Sequence, residues 1–249
     1  MSMWRVVRLS KNNAAMNMAI DEAVSNAVAE GHADPTIRFY MWEPSAVSIG
    51  YFQSIIDEVD VEFCKKNRID YVRRRTGGGA VYHDSSGEIT YSVIAPQYMF
   101  PSGIIESYKV ICGWIINGLR EIGINAEFVP INDVVVGGKK ISGNAQTRRN
   151  GVLLQHGTIL YDSDFDTMFR CLRISDEKIR DKMIKNVHER VTNIRSLADV
   201  DIKRLYDSLL KGFCDGKEFY FGELSTDEFI DANKLAMTKY CSDDWNFWR

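Results

Sequence analysis

The hydrophobic period of the chain changes from two to between three and four across residues 88–122, and this restricts the fold more than any other feature. Ile89, Tyr91, Val93 and Ala95 alternate with Glu88, Thr90 and Ser92, which is the period of two that a strand requires. Ile104, Tyr108, Ile111, Ile115, Leu119 and Ile122 then recur at spacings of three and four, so residues 102–122 predict an amphipathic helix stopped by Gly123. Residues 152–160 predict another strand. That strand is entered through the polar turn Arg148-Arg149-Asn150-Gly151 and forms a hairpin with the segment around Ile141.

The flanking segments extend this mixed pattern. Residues 4–9, 36–42, 46–49 and 70–73 predict strands, with Pro44 separating the second from the third, and residues 14–29 and 60–67 predict helices. Beyond Asp162 the texture becomes helical: Phe165, Met168, Phe169 and Leu172, then Ile179, Met183 and Val187, then Leu205, Leu209 and Phe213. Ser225 to Glu228 has capping-box spacing for a last helix. The expectation is an α+β fold with mixed, largely antiparallel sheets flanked by helices. It forms a single domain over residues 1–249, with a mixed core at 1–195 and a helical C-terminal segment at 196–249.

Charge and cysteine content narrow the setting. With 31 Lys+Arg against 34 Asp+Glu the net charge is −3, which argues against wrapping nucleic acid and leaves room for a local basic patch. The five cysteines include no C-x-x-C pair, and an odd count suits a reducing compartment. The N-terminus lacks a signal-peptide core and no run approaches the ~20 apolar residues of a membrane span. A cytoplasmic chain without membrane association is expected.

Three segments carry chemistry. In Arg73-Arg74-Arg75-Thr76-Gly77-Gly78-Gly79-Ala80-Val81-Tyr82-His83-Asp84, the glycines let backbone N–H groups approach an anion and the arginines can donate bidentate hydrogen bonds. Three glycines alone read more readily as a turn between strands; the arginines bring that reading and the anion cradle level. Gly137-Gly138-Lys139-Lys140-Ile141-Ser142-Gly143 could hold a lysine against developing negative charge, although an exposed hairpin with solvated lysines is the commoner case. His156 and Gly157 lie on a predicted strand, where a histidine is more often a hydrogen-bonded core residue. Neither glycine cluster fits the P-loop or dinucleotide patterns, and no zinc motif is present.

The ordered set of motifs resembles the lipoate-protein ligase family of the biotin/lipoate ligase superfamily. The segments are Asn17 to Ala23, Ile49-Gly50-Tyr51-Phe52-Gln53, Arg73 to Asp84, Asn132-Asp133-Val134, Gly138 to Gly143 and His156-Gly157. The resemblance covers nearly the whole chain and implies a class II synthetase-like fold. It also implies ATP-dependent formation of lipoyl-AMP from lipoate, then transfer to a lysine. The acceptors it implies are lipoyl domains of 2-oxoacid dehydrogenase complexes or the glycine cleavage H protein.

By position, the resemblance makes Lys140 the catalytic lysine bridging carboxylate and α-phosphate, and turns Arg74 and Gly77, Gly78 and Gly79 toward the same groups. Thr76, Ala80, Val81, Tyr82, His83, Ser142, Gly143, His156 and Gly157 complete the pocket. Asn132 and Asp133 lie near the adenylate, with Asp133 a Mg2+ contact beside ATP. Val47, Ile49, Val81 and Tyr91 are the expected walls of an acyl tunnel. Arg75 makes the loop more basic than the motif requires.

The resemblance also implies a separate accessory-domain polypeptide, because the larger ligases carry a C-terminal domain that this chain lacks. The rival within the superfamily is an octanoyltransferase working from acyl carrier protein through a cysteine thioester. It is disfavoured because Val129 to Asp133 contains no cysteine and Cys171 falls on a predicted helix. Biotin ligation is disfavoured by the absence of a G-R-G-R loop. A lipoate-binding module without catalysis is the remaining alternative.

Overall fold

Residues 3–173 and 189–249 are described in a computed structural model. The strands are β1 (Trp4–Asn12), β2 (Thr36–Trp42), β3 (Ala46–Ile49), β4 (Asp70–Arg73), β5 (Val81–His83), β6 (Glu88–Pro96), β7 (Glu127–Val129), β8 (Asp133–Val136), β9 (Lys139–Arg149), β10 (Val152–Leu160) and β11 (Phe219–Phe221). The main helices are α1 (Ala14–Ala29), α2 (Ile55–Glu58), α3 (Val61–Lys66), α4 (Ile104–Arg120), α5 (Phe165–Cys171), α6 (Ile202–Cys214), α7 (Thr226–Leu235) and α8 (Asp243–Asn246). The periodicity at Ile179, Met183 and Val187 lies outside the described residues.

Eight strands form one sheet in the order β11-β1-β2-β6-β10-β9-β8-β7, and β4-β3-β5 form a second. In the large sheet only β11 with β1 and β1 with β2 pair in parallel; the other neighbours are antiparallel, giving the mixed α+β architecture expected. Asn150 and Gly151 both have positive φ, 51° and 76°, as a two-residue type I′ turn demands. They set the β9–β10 register with Arg149 opposite Val152.

Strand β6 departs from the usual meaning of alternation. Its side with Ile89, Tyr91, Val93 and Ala95 packs under α4 and α6 through Ile111, Ile115, Leu119, Leu205, Leu209 and Phe213. The opposite side is dry as well: Glu88, Thr90 and Ser92 are 0%, 3% and 0% exposed. Polar groups removed from water must find partners inside, so this face of the sheet is built around hydrogen bonds. Helices α1 and α7 cover part of it, packing on Tyr40, Trp42, Ile94 and Leu154.

Helices α4 and α6 meet through backbone. A Cβ at Gly212 would stand 2.3 Å from both the Gly118 nitrogen and the Trp114 carbonyl oxygen, so the crossing tolerates only glycine there.

The residues after 195 include β11 as well as helices, and they return to the core at two points. Ser225 and Glu228 form the predicted capping box, and the Glu228 carboxylate also accepts from Arg5 Nη1 at 2.7 Å. Near the end of the chain, Asn246 Oδ1 accepts the Arg73 backbone N–H at 2.8 Å while Arg73 Nη2 donates to the Asn246 carbonyl at 2.8 Å. Asn246 Nδ2 donates to the Tyr240 carbonyl at 2.8 Å. Asn246→Ala takes the side-chain partner from the Arg73 N–H and the Tyr240 carbonyl while keeping the backbone contact to Arg73 Nη2, so a loss of about 1–3 kcal/mol is expected, read as a lower midpoint in urea.

Candidate active site

A cavity of about 190 Å³ opens between the small sheet and the polar face of the large one. Its apolar walls are Met18, Tyr40, Trp42, Ala80, Val81 and Ala145, and its polar lining includes Ser48, Arg74, His83, Thr90, Asn132, Lys140, Asn144, His156 and Thr158. Gly78, Gly79, Gly143 and Gly157 also line it.

The glycine loop is held by Arg74 from beneath. Its Nη2 donates to the Gly77 and Gly79 carbonyls, both at 2.7 Å, and its Nη1 donates to the Ser48 carbonyl at 3.0 Å and Ser48 Oγ at 3.1 Å. The Nε donates to Thr76 Oγ1 at 3.1 Å. All five guanidinium N–H bonds are thereby occupied, and burial pulls its pKa down to about 10. Arg74 shapes the loop and has no donor left for a substrate anion, contrary to the role expected from its position. Gly50 shows how tightly the loop is seated: a Cβ there would lie 2.0 Å from the Gly78 carbonyl oxygen.

Arg73 and Arg75 face elsewhere. Arg73 is fully buried and donates to the Tyr51 carbonyl at 2.8 Å and the Trp245 carbonyl at 2.9 Å. Arg75 lies 3.7 Å from Glu22, in a partly buried ion pair. The three arginines therefore brace the loop rather than forming an open anion cradle.

Under the cavity lies a buried carboxylate, Asp21 of α1. It accepts from Arg38 Nη1 at 2.9 Å, from Ser92 Oγ at 2.7 Å and from Tyr40 Oη at 3.3 Å. His156 Nδ1 lies 3.2 Å from its other edge, and His156 Nε2 lies 2.7 Å from Thr76 Oγ1. Burial pushes the Asp21 carboxyl up, but the His156 hydrogen bond and the Arg38 charge outweigh it and hold the carboxyl below its ordinary range. Burial pulls His156 down, only partly offset by Asp21. A neutral His156 then donates from Nδ1 and accepts from Thr76, a tautomer set by the network.

A second histidine sits in a different chain of contacts. His83 Nε2 is 2.8 Å from Ser48 Oγ, and His83 Nδ1 is 2.7 Å from Glu88 Oε1. Glu88 Oε1 also accepts from Thr90 Oγ1 at 2.6 Å, while Glu88 Oε2 is buried without a partner. The Trp42 ring stacks on His83, centroids 3.9 Å apart and 14° from parallel.

Lys140 projects from the β8–β9 hairpin, whose turn residues Gly137 and Gly138 have φ of 55° and 76°. Its Nζ is 2.7 Å from Asp133 Oδ1, a charge contact whose angle misses that of a directed hydrogen bond, since Oδ1 has no hydrogen-bond partner. The hairpin is clasped by Asn132 and Asn144: Asn144 Nδ2 donates to the Asn132 carbonyl at 2.8 Å and Asn132 Nδ2 donates back to the Asn144 carbonyl. Tyr91 Oη donates to Asn144 Oδ1 at 2.6 Å.

Gly78, Gly79, Ala80, Val81, His83, Asn132, Lys140, Gly143, His156 and Gly157 therefore meet at one cavity as expected. Thr76 and Gly77 stand behind it in the Arg74 network, and Ser142 lies beside Asn144 with its hydroxyl 3.3 Å from Asn144 Nδ2. Tyr82 is displaced from the site because β5 turns it into a separate core with Val47 and Ile49. Of the expected tunnel walls only Val81 lines the cavity; Tyr91 packs on the far side of β6.

The residues missed were Asp21, Ser48 and the polar row Glu88, Thr90 and Ser92. Alternation flagged that row, but only pairing on both sides of β6 shows it to be buried. Four cysteines are buried and Cys241 is exposed, and none lines the cavity. Burial pushes the Cys112 thiol up to about 12. No helix among the described residues is long and apolar enough to cross a membrane.

Residues 13–214 match the family model described as the Lipoyl protein ligase A/B catalytic domain. An octanoyltransferase (LipM) of Brevibacillus brevis is 35% identical over 100% of both chains, and that of Kyrpidia tusciae is 38% identical over 99% of both. A chain from the bipartite lipoate protein ligase of Thermoplasma acidophilum, studied with its E2 lipoyl domain, has a TM-score of 0.90 at 34% identity, over 99% of this chain and 97% of that one.

The two octanoyltransferases correct the expected chemistry. They stand against ATP-dependent lipoate ligation through lipoyl-AMP, with ATP, free lipoate and Mg2+ as reactants, because these relatives, matched end to end, are octanoyltransferases. Asp133 loses its expected metal role and is the ion-pair partner of Lys140.

The depressed His156 has a measurable consequence. The unfolded chain takes up this proton near the ordinary histidine pKa of about 6.5, whereas the folded chain resists it, so stability present above that pH falls as pH drops below it. His156→Gln is expected to flatten that fall, by at most about 1.4 kcal/mol per pH unit, measured by urea unfolding between pH 7.5 and 5.5.

Proposed function

The chain belongs to the lipoyl protein ligase A/B catalytic domain family, and we propose that it transfers an octanoyl group from a thioester donor, such as an acyl carrier protein, to a lysine of a lipoyl domain. The observation that carries this reading is the end-to-end match to octanoyltransferases, 35% identical over 100% of both chains. The cavity supports it. At about 190 Å³ it is smaller than the ~300–1,000 Å³ of common small-molecule sites, and its walls of Met18, Tyr40, Trp42 and Val81 suit a slender aliphatic chain.

In this reading the acyl tail lies along those walls with its carbonyl at the mouth, between the Gly78-Gly79 loop and Lys140. When nitrogen attacks the thioester carbon, negative charge gathers on the carbonyl oxygen. The Lys140 ammonium, steadied by Asp133 2.7 Å away, offsets that charge as the carbon–nitrogen bond forms and the carbon–sulfur bond breaks. Since no thiol lines the cavity, the octanoyl group passes to the amine without resting on cysteine. Lipoyl domains of 2-oxoacid dehydrogenase complexes and the glycine cleavage H protein are the acceptor class.

Octanoyl carrier protein and an apo lipoyl domain, mixed with the purified chain in the absence of nucleotide, should yield an octanoylated lipoyl domain by intact mass spectrometry. Lys140→Met should slow this about 10²–10³-fold, while Cys112→Ala and Cys171→Ala retain it. Modification that demands ATP and free octanoate, or that stops when either cysteine is removed, would overturn the reading.

A further inference from the structure

Amide formation on a lysine side chain poses a proton problem that neither the cavity walls nor Lys140 resolves. A lysine ammonium has a pKa near 10.4, so only about one in 2,500 side chains is a free amine at pH 7. The ammonium has no lone pair with which to attack, and a base within reach of it accelerates the reaction.

Among the titratable groups lining the cavity, Lys140 and Arg74 are cations, Tyr40 gives its hydroxyl hydrogen to Asp21, and His156 meets on Nε2 a hydroxyl, that of Thr76, which does not itself line the cavity. His83 remains, and its connection to the cavity runs through Ser48. A serine hydroxyl has one hydrogen to donate and two lone pairs. Ser48 Oγ accepts from Arg74 Nη1 at 3.1 Å and lies 2.8 Å from His83 Nε2. With its hydrogen given to His83, one acceptor position is left, and Ser48 lines the cavity.

Behind His83, Glu88 Oε1 lies 2.7 Å from Nδ1, and the same carboxylate keeps an unpartnered buried oxygen, Oε2. Trp42 lies flat against the ring at 3.9 Å. A proton arriving on Nε2 would make an imidazolium with the Glu88 carboxylate at its other nitrogen and the Trp42 ring flat against it.

We propose that Ser48 and His83 form the proton relay that deprotonates the acceptor lysine, with Glu88 positioning the imidazole; the proposal rests on the acyl-transfer reading and names its base. The ε-ammonium donates one proton to Ser48 Oγ as Ser48 passes its own to His83 Nε2. The freed amine attacks the thioester carbon, the carbon–sulfur bond breaks, and the second nitrogen proton leaves with the thiolate as thiol. His83 then returns its proton through Ser48 to solvent. The products are amide, thiol and one proton.

The test replaces lysine by hydroxylamine, a weakly basic amine already unprotonated at neutral pH. Wild type, Ser48→Ala, His83→Asn and Glu88→Gln are each given an octanoyl thioester with either the apo lipoyl domain or hydroxylamine. Ser48→Ala and His83→Asn should lose about 10²–10⁴-fold with the lipoyl domain and remain within about tenfold of wild type with hydroxylamine; Glu88→Gln should fall between. Rates with hydroxylamine are taken above those of thioester and hydroxylamine without protein, and hydroxamate formation retained above that background also shows that each variant holds a folded site. Equal losses with both acceptors, or no loss with the lipoyl domain, would overturn the relay alone. A wild type that forms neither product faster than the mixture without protein would remove the transfer reading and the relay with it.

Discussion

The Asp21 carboxylate, buried beneath the cavity, is the constraint around which the rest is organised. A carboxylate out of water is tolerated only with charge and hydrogen-bond compensation, and here the compensation comes from separate parts of the chain. Arg38 of β2, Ser92 of β6 and His156 of β10 all reach it. Helix α1 is thereby pinned across three adjacent strands of the large sheet. Because breaking a buried pair costs about 3–5 kcal/mol, this pinning also fixes where the sheet's polar face can open into a cavity.

The same network continues into the glycine loop. His156 orients Thr76, Thr76 accepts from Arg74, and Arg74 gathers the Gly77 and Gly79 carbonyls. Loop carbonyls bound from below leave the upper side of the loop for a substrate. Gly50, pressed against the Gly78 carbonyl, closes the remaining freedom, and the C-terminal contacts from Trp245 and Asn246 hold the adjoining Arg73. The loop's shape therefore depends on residues from α1, the large sheet and the end of the chain.

Much of this was legible from the residues alone because period and turn chemistry are local. The alternation over β6, the threes and fours over α4, and the Asn150-Gly151 turn all report backbone conformation within a few residues. The gathering of the glycine loop, Lys140 and His156 followed from the ordered motifs. What the motifs could not convey was direction. Arg74 reads as an anion-binding residue until its five donors are counted against carbonyls and hydroxyls brought close by the fold. Tyr82 and Tyr91 were misassigned for a related reason: a period of two identifies opposite faces, but not which face meets the cavity. Asp21 was missed because an acid on an otherwise apolar helix carries no local sign of the three strands that converge on it.

The two cavity histidines show how environment divides one residue type between two tasks. His156 lies between a carboxylate that takes its Nδ1 proton and a threonine that fills Nε2, and burial among positive neighbours disfavours a further proton. Its geometry suits holding the loop at a fixed height. His83 also has a carboxylate on Nδ1, but that carboxylate keeps an open buried oxygen and Nε2 looks through a serine into the cavity. A proton reaching it can be handed on, because a hydroxyl donates and accepts through the same atom. For a reaction that must take a proton from an ammonium before carbon–nitrogen bond formation, one histidine fixes the geometry and the other carries the proton, and the hydroxyl at Ser48 separates the two roles.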